Sequence, residues 1–266
     1  MLRRFFLRYA LLLSLAPLAR PAAAQVPADP TRKYENPGGV SAPGHQPFFK
    51  SKGFRAVVVP AILIGYGATV IDGNGLYSSF QAKTDIRRAF GTYRSRVDDY
   101  LQWAPYLEIG GALLAGVESR DDRLNLGLIV LKGELIMFSS VFLVKNLTGI
   151  MRPDSSNSRA FPSGHTAQAF LAASIVHTEF RDKSQWYGVG AYALATSVAA
   201  FRMINNKHWQ SDVVAGAGFG ILSAHLAYLS HRNRWGRKAV GRDVGLAPAY
   251  FGNGAPGLTL TWRPKN

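Results

Sequence analysis

The chain has 266 residues, 47% of them hydrophobic and 18% charged, with a formal net charge of +15. That length holds one domain plus extensions. Cysteine is absent, which excludes disulfides, a thiol nucleophile and a thiolate metal site. The excess of Lys and Arg turns attention to anionic partners. Nucleic acid is a poor fit, because the basic residues are scattered among apolar stretches and no RNA- or DNA-binding motif is present. An anionic membrane surface or a phosphorylated substrate fits better.

From the N-terminus, Arg3, Arg4 and Arg8 precede a short apolar run from Tyr9 to Ala19, and Ala22-Ala23-Ala24 offers a small-residue cleavage site. Residues 1–24 therefore read as a secretory signal peptide. Removing them takes away four Arg and leaves +11. Residues 25–52 are rich in Pro, Gly and polar side chains and read as a linker. Six apolar stretches follow, Ala56–Ile71, Leu107–Val117, Leu124–Val144, His165–Phe180, Trp186–Phe201 and Val213–Leu229, each read as a helix. Between the first two, the charged and amphipathic Thr84–Trp103 reads as an interfacial or solvent helix. Gly216 and Gly220 form a small-xxx-small pair suited to close helix contact. Residues 232–266 form a basic tail, in which Val244–Phe251 and Gly257–Trp262, separated by Gly252-Asn253-Gly254, read as a short β-hairpin.

Three short motifs carry the chemistry. Lys145 and Arg152 lie seven apart, close to two helical turns, so they can share a face. Pro153 then disfavours continued helix. Arg offers a planar fork to phosphate oxygens and Lys a compact charge. Taken alone, this is equally a basic helix end at a membrane surface. Next, Pro162-Ser163-Gly164-His165 precedes an apolar, small-residue run. Helix-start N–H groups at Ser163, Gly164 and His165 would form an anion cradle, and His165 could donate a proton to a leaving group. Finally, Arg202 is followed by His208 and Asp212. At i,i+4 on one helix face, Asp212 can hold one ring nitrogen of His208 and leave the other bare and basic. Three cations, two histidines and one carboxylate fall within 68 residues (145–212). That inventory suits making and breaking a phospho-histidine bond, and it calls for no metal and no cofactor.

The order and spacing of these motifs resemble the type 2 phosphatidic acid phosphatase (PAP2) superfamily, which also includes vanadium haloperoxidases. The pattern is Lys-x6-Arg-Pro, Pro-Ser-Gly-His and Ser-Arg-x5-His-x3-Asp, and the resemblance covers about residues 95–230. Asp98-Asp99-Tyr100-Leu101-Gln102 and Asn205-Asn206-Lys207-His208-Trp209 look like a Bacteroidetes-type membrane phosphatase branch. The resemblance implies an all-α, six-helix bundle over residues 53–231. It implies that His208 is the nucleophile, Asp212 its orienter and His165 the general acid. Lys145, Arg152, Ser163, Gly164 and Arg202 would bind the phosphate oxygens. One position departs: Phe201 stands where the family usually has Ser, and a hydroxyl donor near the phosphate is lost.

The expected activity is metal-independent hydrolysis of a lipid phosphate or diphosphate. The candidates are undecaprenyl diphosphate, phosphatidic acid, phosphatidylglycerol phosphate and lipid A. A broad-specificity exported acid phosphatase, a vanadate-dependent haloperoxidase and a non-catalytic lipid-binding bundle are the alternatives. The expected location is the cell envelope, in the inner membrane with a periplasm-facing site. Most of the stretches are shorter than the ~20 apolar residues of a span, and Lys132 and Glu134 interrupt the third. An outward site would put Arg181–Lys183 and the basic run Arg232, Arg234, Arg237, Lys238 and Arg242 inside, as the positive-inside rule prefers. Six spans would then start the mature chain inside as well, which conflicts with a cleaved signal.

Overall fold

A computed structural model describes residues 51–73 and 77–232, together with the backbones of 244–250 and 256–262. The expected signal peptide, the linker up to residue 50 and the Gly252-Asn253-Gly254 turn lie outside the described residues. The described helices are α1 (Lys52–Thr69), α2 (Ser79–Phe90), α3 (Val97–Leu101), α4 (Ala104–Leu114), α5 (Arg123–Thr148), α6 (Gly164–Phe180), α7 (Gln185–Ile204) and α8 (Gln210–Ser230). The strands β1 (Val244–Tyr250) and β2 (Pro256–Trp262) pair antiparallel, Val244 opposite Trp262. Each of the six apolar stretches holds a helix. The segment Thr84–Trp103 differs from the sequence reading, which made it one helix. α2 stops at Gly91, whose φ of 56° and ψ of −126° suit only a residue without Cβ, and a loop leads into the short α3. The described helices thus number eight, where six bundle helices and one interfacial helix were expected.

Local capping sets most of the starts. Ser51 accepts from Phe54 N–H at 3.1 Å. Ser78 and Gln81 form a reciprocal capping box, and the Asp122 carboxylate accepts from Leu124 and Asn125. At the other end of α5, Gly149 takes the left-handed conformation at φ 60° and its N–H bonds Lys145 O.

Helices α5 to α8 run alternately up and down, so the end of α5, the start of α6, the end of α7 and the start of α8 meet at one end of the bundle. α6 is its axis: Ala167, Leu171, Ile175 and Phe180 are wholly buried. The Gly216 and Gly220 pair lets α8 approach α6. A Cβ on Gly216 would stand 2.6 Å from Ser163 O, and one on Gly220 2.3 Å from Ala167 O.

α5 and α8 are long and apolar enough to cross a membrane. The 26 residues of α5 extend roughly 39 Å at 1.5 Å per residue. Only 22% of its most apolar window is buried, and Leu131, Leu135, Phe138 and Phe142 form an uncovered apolar face. The charges that interrupt it are satisfied by protein. Glu134 accepts from Tyr106 Oη and from Gln168, and Lys132 donates to Ser230 O.

Candidate active site

Lys145, Arg152, Ser163, Gly164, His165, Arg202, His208 and Asp212 all lie at the meeting of those four helix ends. Lys145, in the last turn of α5, donates to Arg159 O at 2.9 Å and Ala160 O at 3.4 Å. Arg152 does not share its helix face, contrary to the seven-residue spacing argument, because Gly149 ends the helix and places Arg152 in the following loop. That loop is held from several sides. Arg152 N–H bonds Asn157 O, Lys83 of α2 donates to Pro153 O at 3.0 Å, and Trp209 Nε1–H donates to Met151 O at 2.8 Å. Lys207 pairs with Asp154 at 2.6 Å. Burial opposes charge on Asp154, but hydrogen bonds from Lys207 and Ser156 outweigh it and hold the carboxyl at about 2.

Ser163 caps α6 as the sequence suggests, with its hydroxyl 3.5 Å from Thr166 N. Its own N–H is not part of an anion cradle, however: it donates to Asp212 O at 2.9 Å. The expected three amides therefore reduce to two. Gly164 and His165, the first two helical residues, have no carbonyl four residues back to bond within α6. The Gly164 side of the turn faces Lys145, whose Cε is 3.9 Å from where a Cβ would stand.

His208 and Asp212 meet, but not on one continuous helix. α8 begins at Gln210, so the pair straddles its start. His208 Nδ1 lies 3.2 Å from Asp212 Oδ2, and that oxygen also accepts from Trp209 N–H at 2.8 Å. An ionised Asp212 only accepts, and in that state Nδ1 carries the proton and Nε2 is bare. His208 is buried, and burial first, then Lys145, Arg202 and Arg152, hold its pKa well below the ordinary value. The ring is therefore neutral at pH 7.

Arg202 Nη1 donates to the buried Asp98 at 2.6 Å and lies 3.6 Å from Asp99 Oδ1. Asn205 bonds Asp98 and, in both directions, the backbone of Ser95. His165 Nε2 lies 3.0 Å from Asp99 Oδ1. Sequence reasoning assigned no role to Asp98 or Asp99; an acidic pair in a chain with only 16 Asp and Glu was the available signal.

These groups open into a cavity of about 620 Å³, whose lining includes Arg94, Arg96, Arg152, His165, Arg202 and Lys207. Arg152 Nε and Arg202 Nε are buried donors without a hydrogen-bond partner among the described residues. Unpaired buried guanidinium donors are costly and call for an explanation. An anion between the two guanidinium groups supplies one: two forks suit the oxygens of a phosphoryl group, and Lys145 and two helix-start amides lie at the same meeting of helix ends.

The family comparison agrees with this chemistry. Residues 129–236 match the PAP2 superfamily model. The chain is thus similar to the PAP2 superfamily over 108 of its 266 residues. All eight expected site residues lie within the matched stretch. A relative, the lipid A 1-phosphatase of Porphyromonas gingivalis, is 34% identical over 139 residues, which are 52% of this chain and 31% of that protein. The chain thus spans about a third of the relative's length. Two solved structures resemble it: Aquifex aeolicus LpxE (19% identity, 55% of this chain and 93% of that one, TM-score 0.41) and the first transmembrane PAP2-type phosphatidylglycerolphosphate phosphatase from Bacillus subtilis (15% identity, 66% and 98%, TM-score 0.42).

Proposed function

We propose that the protein is a metal-independent membrane phosphatase that hydrolyses a lipid phosphate through phospho-His208. The observation that carries this reading is the pair of buried, unpartnered guanidinium donors, Arg152 Nε and Arg202 Nε, in two arginines that line one cavity with His165. His208 Nε2 attacks phosphorus. Lys145, Arg152, Arg202 and the Gly164 and His165 amides take the charge that builds on the equatorial oxygens, the role preorganised electrostatics plays in phosphoryl transfer. Ser163 holds the cradle in place and offers its hydroxyl. His165 protonates the departing oxygen and then removes a proton from the water that hydrolyses phospho-His208. Asp212 orients His208 throughout.

Among undecaprenyl diphosphate, phosphatidic acid, phosphatidylglycerol phosphate and lipid A, the similarity to a lipid A 1-phosphatase favours lipid A. The uncovered apolar face of α5 supports placement in a bilayer. The signal-like N-terminus supports a site on the periplasmic side of the cell envelope. The test is phosphate release by detergent-purified protein in EDTA, across those four lipids and a soluble aryl phosphate, beside His208→Ala. Release from lipid A that vanishes in the variant is the expected result. Release from the aryl phosphate alone would replace this reading with a broad acid phosphatase. No release from any of them by a folded sample would overturn it.

A further inference from the structure

His165 has a partner that none of the three motifs contains. Its Nε2 lies 3.0 Å from Asp99 Oδ1. Asp99 sits on α3, which is itself locked to the end of α7: Asp98 bonds Arg202 and Asn205, and Asn205 bonds Ser95. Asp99 is therefore delivered to the cavity by a fixed element, half-exposed, with Arg202 Nη1 3.6 Å from the same Oδ1. Nδ1 is the ring nitrogen nearer the backbone. With Nε2 held by a carboxylate, Nδ1 is the nitrogen left for the phosphate. This reverses the arrangement in His208, where the carboxylate holds Nδ1 and Nε2 is left free.

We propose that Asp99 is the positioning residue for His165, and this rests on the phosphatase reading above. Its carboxylate accepts the Nε2–H, fixes the ring and stabilises the imidazolium form. In the first half-reaction the Nδ1 proton passes to the leaving oxygen as the P–O bond breaks, leaving a neutral ring still bonded to Asp99 through Nε2–H. In the second half-reaction Nδ1 takes a proton from the water that attacks phospho-His208, and the imidazolium is restored. Asp99 remains ionised throughout.

Leaving-group dependence tests this directly. A poor leaving group needs the acid and a good one does not. Wild type, Asp99→Asn, Asp99→Glu and His208→Ala are assayed on two phosphate monoesters that share one acyl chain but release an alkanol or a nitrophenol. Asp99→Asn is expected to lower kcat on the alkanol ester about 10–100-fold, part of the roughly 10²–10⁴-fold that general acid catalysis contributes. It should leave the nitrophenol ester nearly unchanged, and Asp99→Glu should recover part of the loss. Should Asp99→Asn not fold, Asp99→Ser carries the same comparison. Equal loss on both esters would reduce Asp99 to a structural residue and overturn the proposal. Unchanged rates would do the same. Faster turnover with a lower KM would show instead that the carboxylate occupies the place of a phosphate oxygen. A wild type inactive on both esters sinks the phosphatase reading itself. An active wild type that His208→Ala silences, with a flat Asp99→Asn ratio, sinks this inference alone.

Discussion

Two His–Asp pairs flank the proposed phosphate cradle, and they differ in nearly every physical respect. His208 and Asp212 are four residues apart, with side chains 1% and 0% exposed, and their shared oxygen also caps a helix start. His165 and Asp99 are 66 residues apart, with side chains 32% and 49% exposed. The first pair sits among Lys145, Arg152 and Arg202, where a cationic imidazole would be repelled. That environment suits a group that must stay neutral and bare on one nitrogen. The second pair opens onto the cavity, where a proton can be given and regained from water. In the proposed mechanism, burial and charge separate the two histidines into an attacking and a proton-carrying role, as in other sites where two like groups are driven apart by their surroundings.

The sharpest way to break the comparison is to remove each buried member. His208→Ala is expected to lower kcat at least about 10⁴-fold, since the residual rate rests on the cradle alone. Samples quenched in alkaline denaturant should retain a radiolabelled phosphoryl group in the wild type and none in the variant after incubation with a labelled lipid. Asp212→Asn keeps the shape but turns an acceptor toward or away from Nδ1, and should cost about 10³–10⁴-fold in kcat with the fold intact by circular dichroism. A loss below tenfold would remove the orienter role.

The exposed pair depends on an anchor. Asp98 is 1% exposed and bonds both Arg202 and Asn205. Asp98→Ala leaves a buried guanidinium without its carboxylate, a loss of about 3–5 kcal/mol. Thermal unfolding in detergent should move far more for Asp98→Ala than for Asp99→Ala, and equal shifts would contradict the distinction between anchor and positioned group. Packing behind the cradle gives a smaller effect. A Cβ at Gly216 would meet the Ser163 carbonyl at 2.6 Å, while one at Gly110 meets nothing within 4 Å. Gly216→Ala should therefore cost about 1–3 kcal/mol by overpacking and lower activity through a displaced cradle, with Gly110→Ala as the silent control.

The two pairs also mark how much of the site could be read from the chain. His208 and Asp212 are close because they are close in sequence, so the pairing was legible even though a helix start falls between them. The cations were legible as residues but not as geometry. The Lys145–Arg152 spacing implies two helical turns, yet Gly149 in the left-handed region ends α5 first. Ser163 was legible as a cap, but its N–H is taken by the Asp212 carbonyl, a bond that exists only because α6 and α8 start side by side. The roles of Asp98 and Asp99 were not legible for the same reason. Arg202 and Asp98 are 104 residues apart, and nothing local says which loop closes over the end of α7. The helices themselves followed from apolar runs and capping residues, except at Gly91, where one backbone conformation divides a stretch whose composition is continuous.

The smallest effect tests the neutrality of His208. Attack needs the unprotonated Nε2, so activity must fall once His208 gains a proton. An ordinary histidine does so near 6.5. Burial, then Lys145, Arg202 and Arg152, disfavour the cation and depress the pKa. The sign is therefore fixed: as pH falls through 6.5 the imidazole stays neutral, and the acid limb of kcat/KM, which reports the free enzyme, should lie below 6.5 after allowance for the phosphate's own ionisation. Lys145→Met removes the charged neighbour that contributes most, so its limb should move upward toward the ordinary value even as its rate drops. An acid limb at or above 6.5 in the wild type, or a limb that moves downward in Lys145→Met, would mean that the buried pair does not set the attacking group, and the contrast between the two histidines would fail with it.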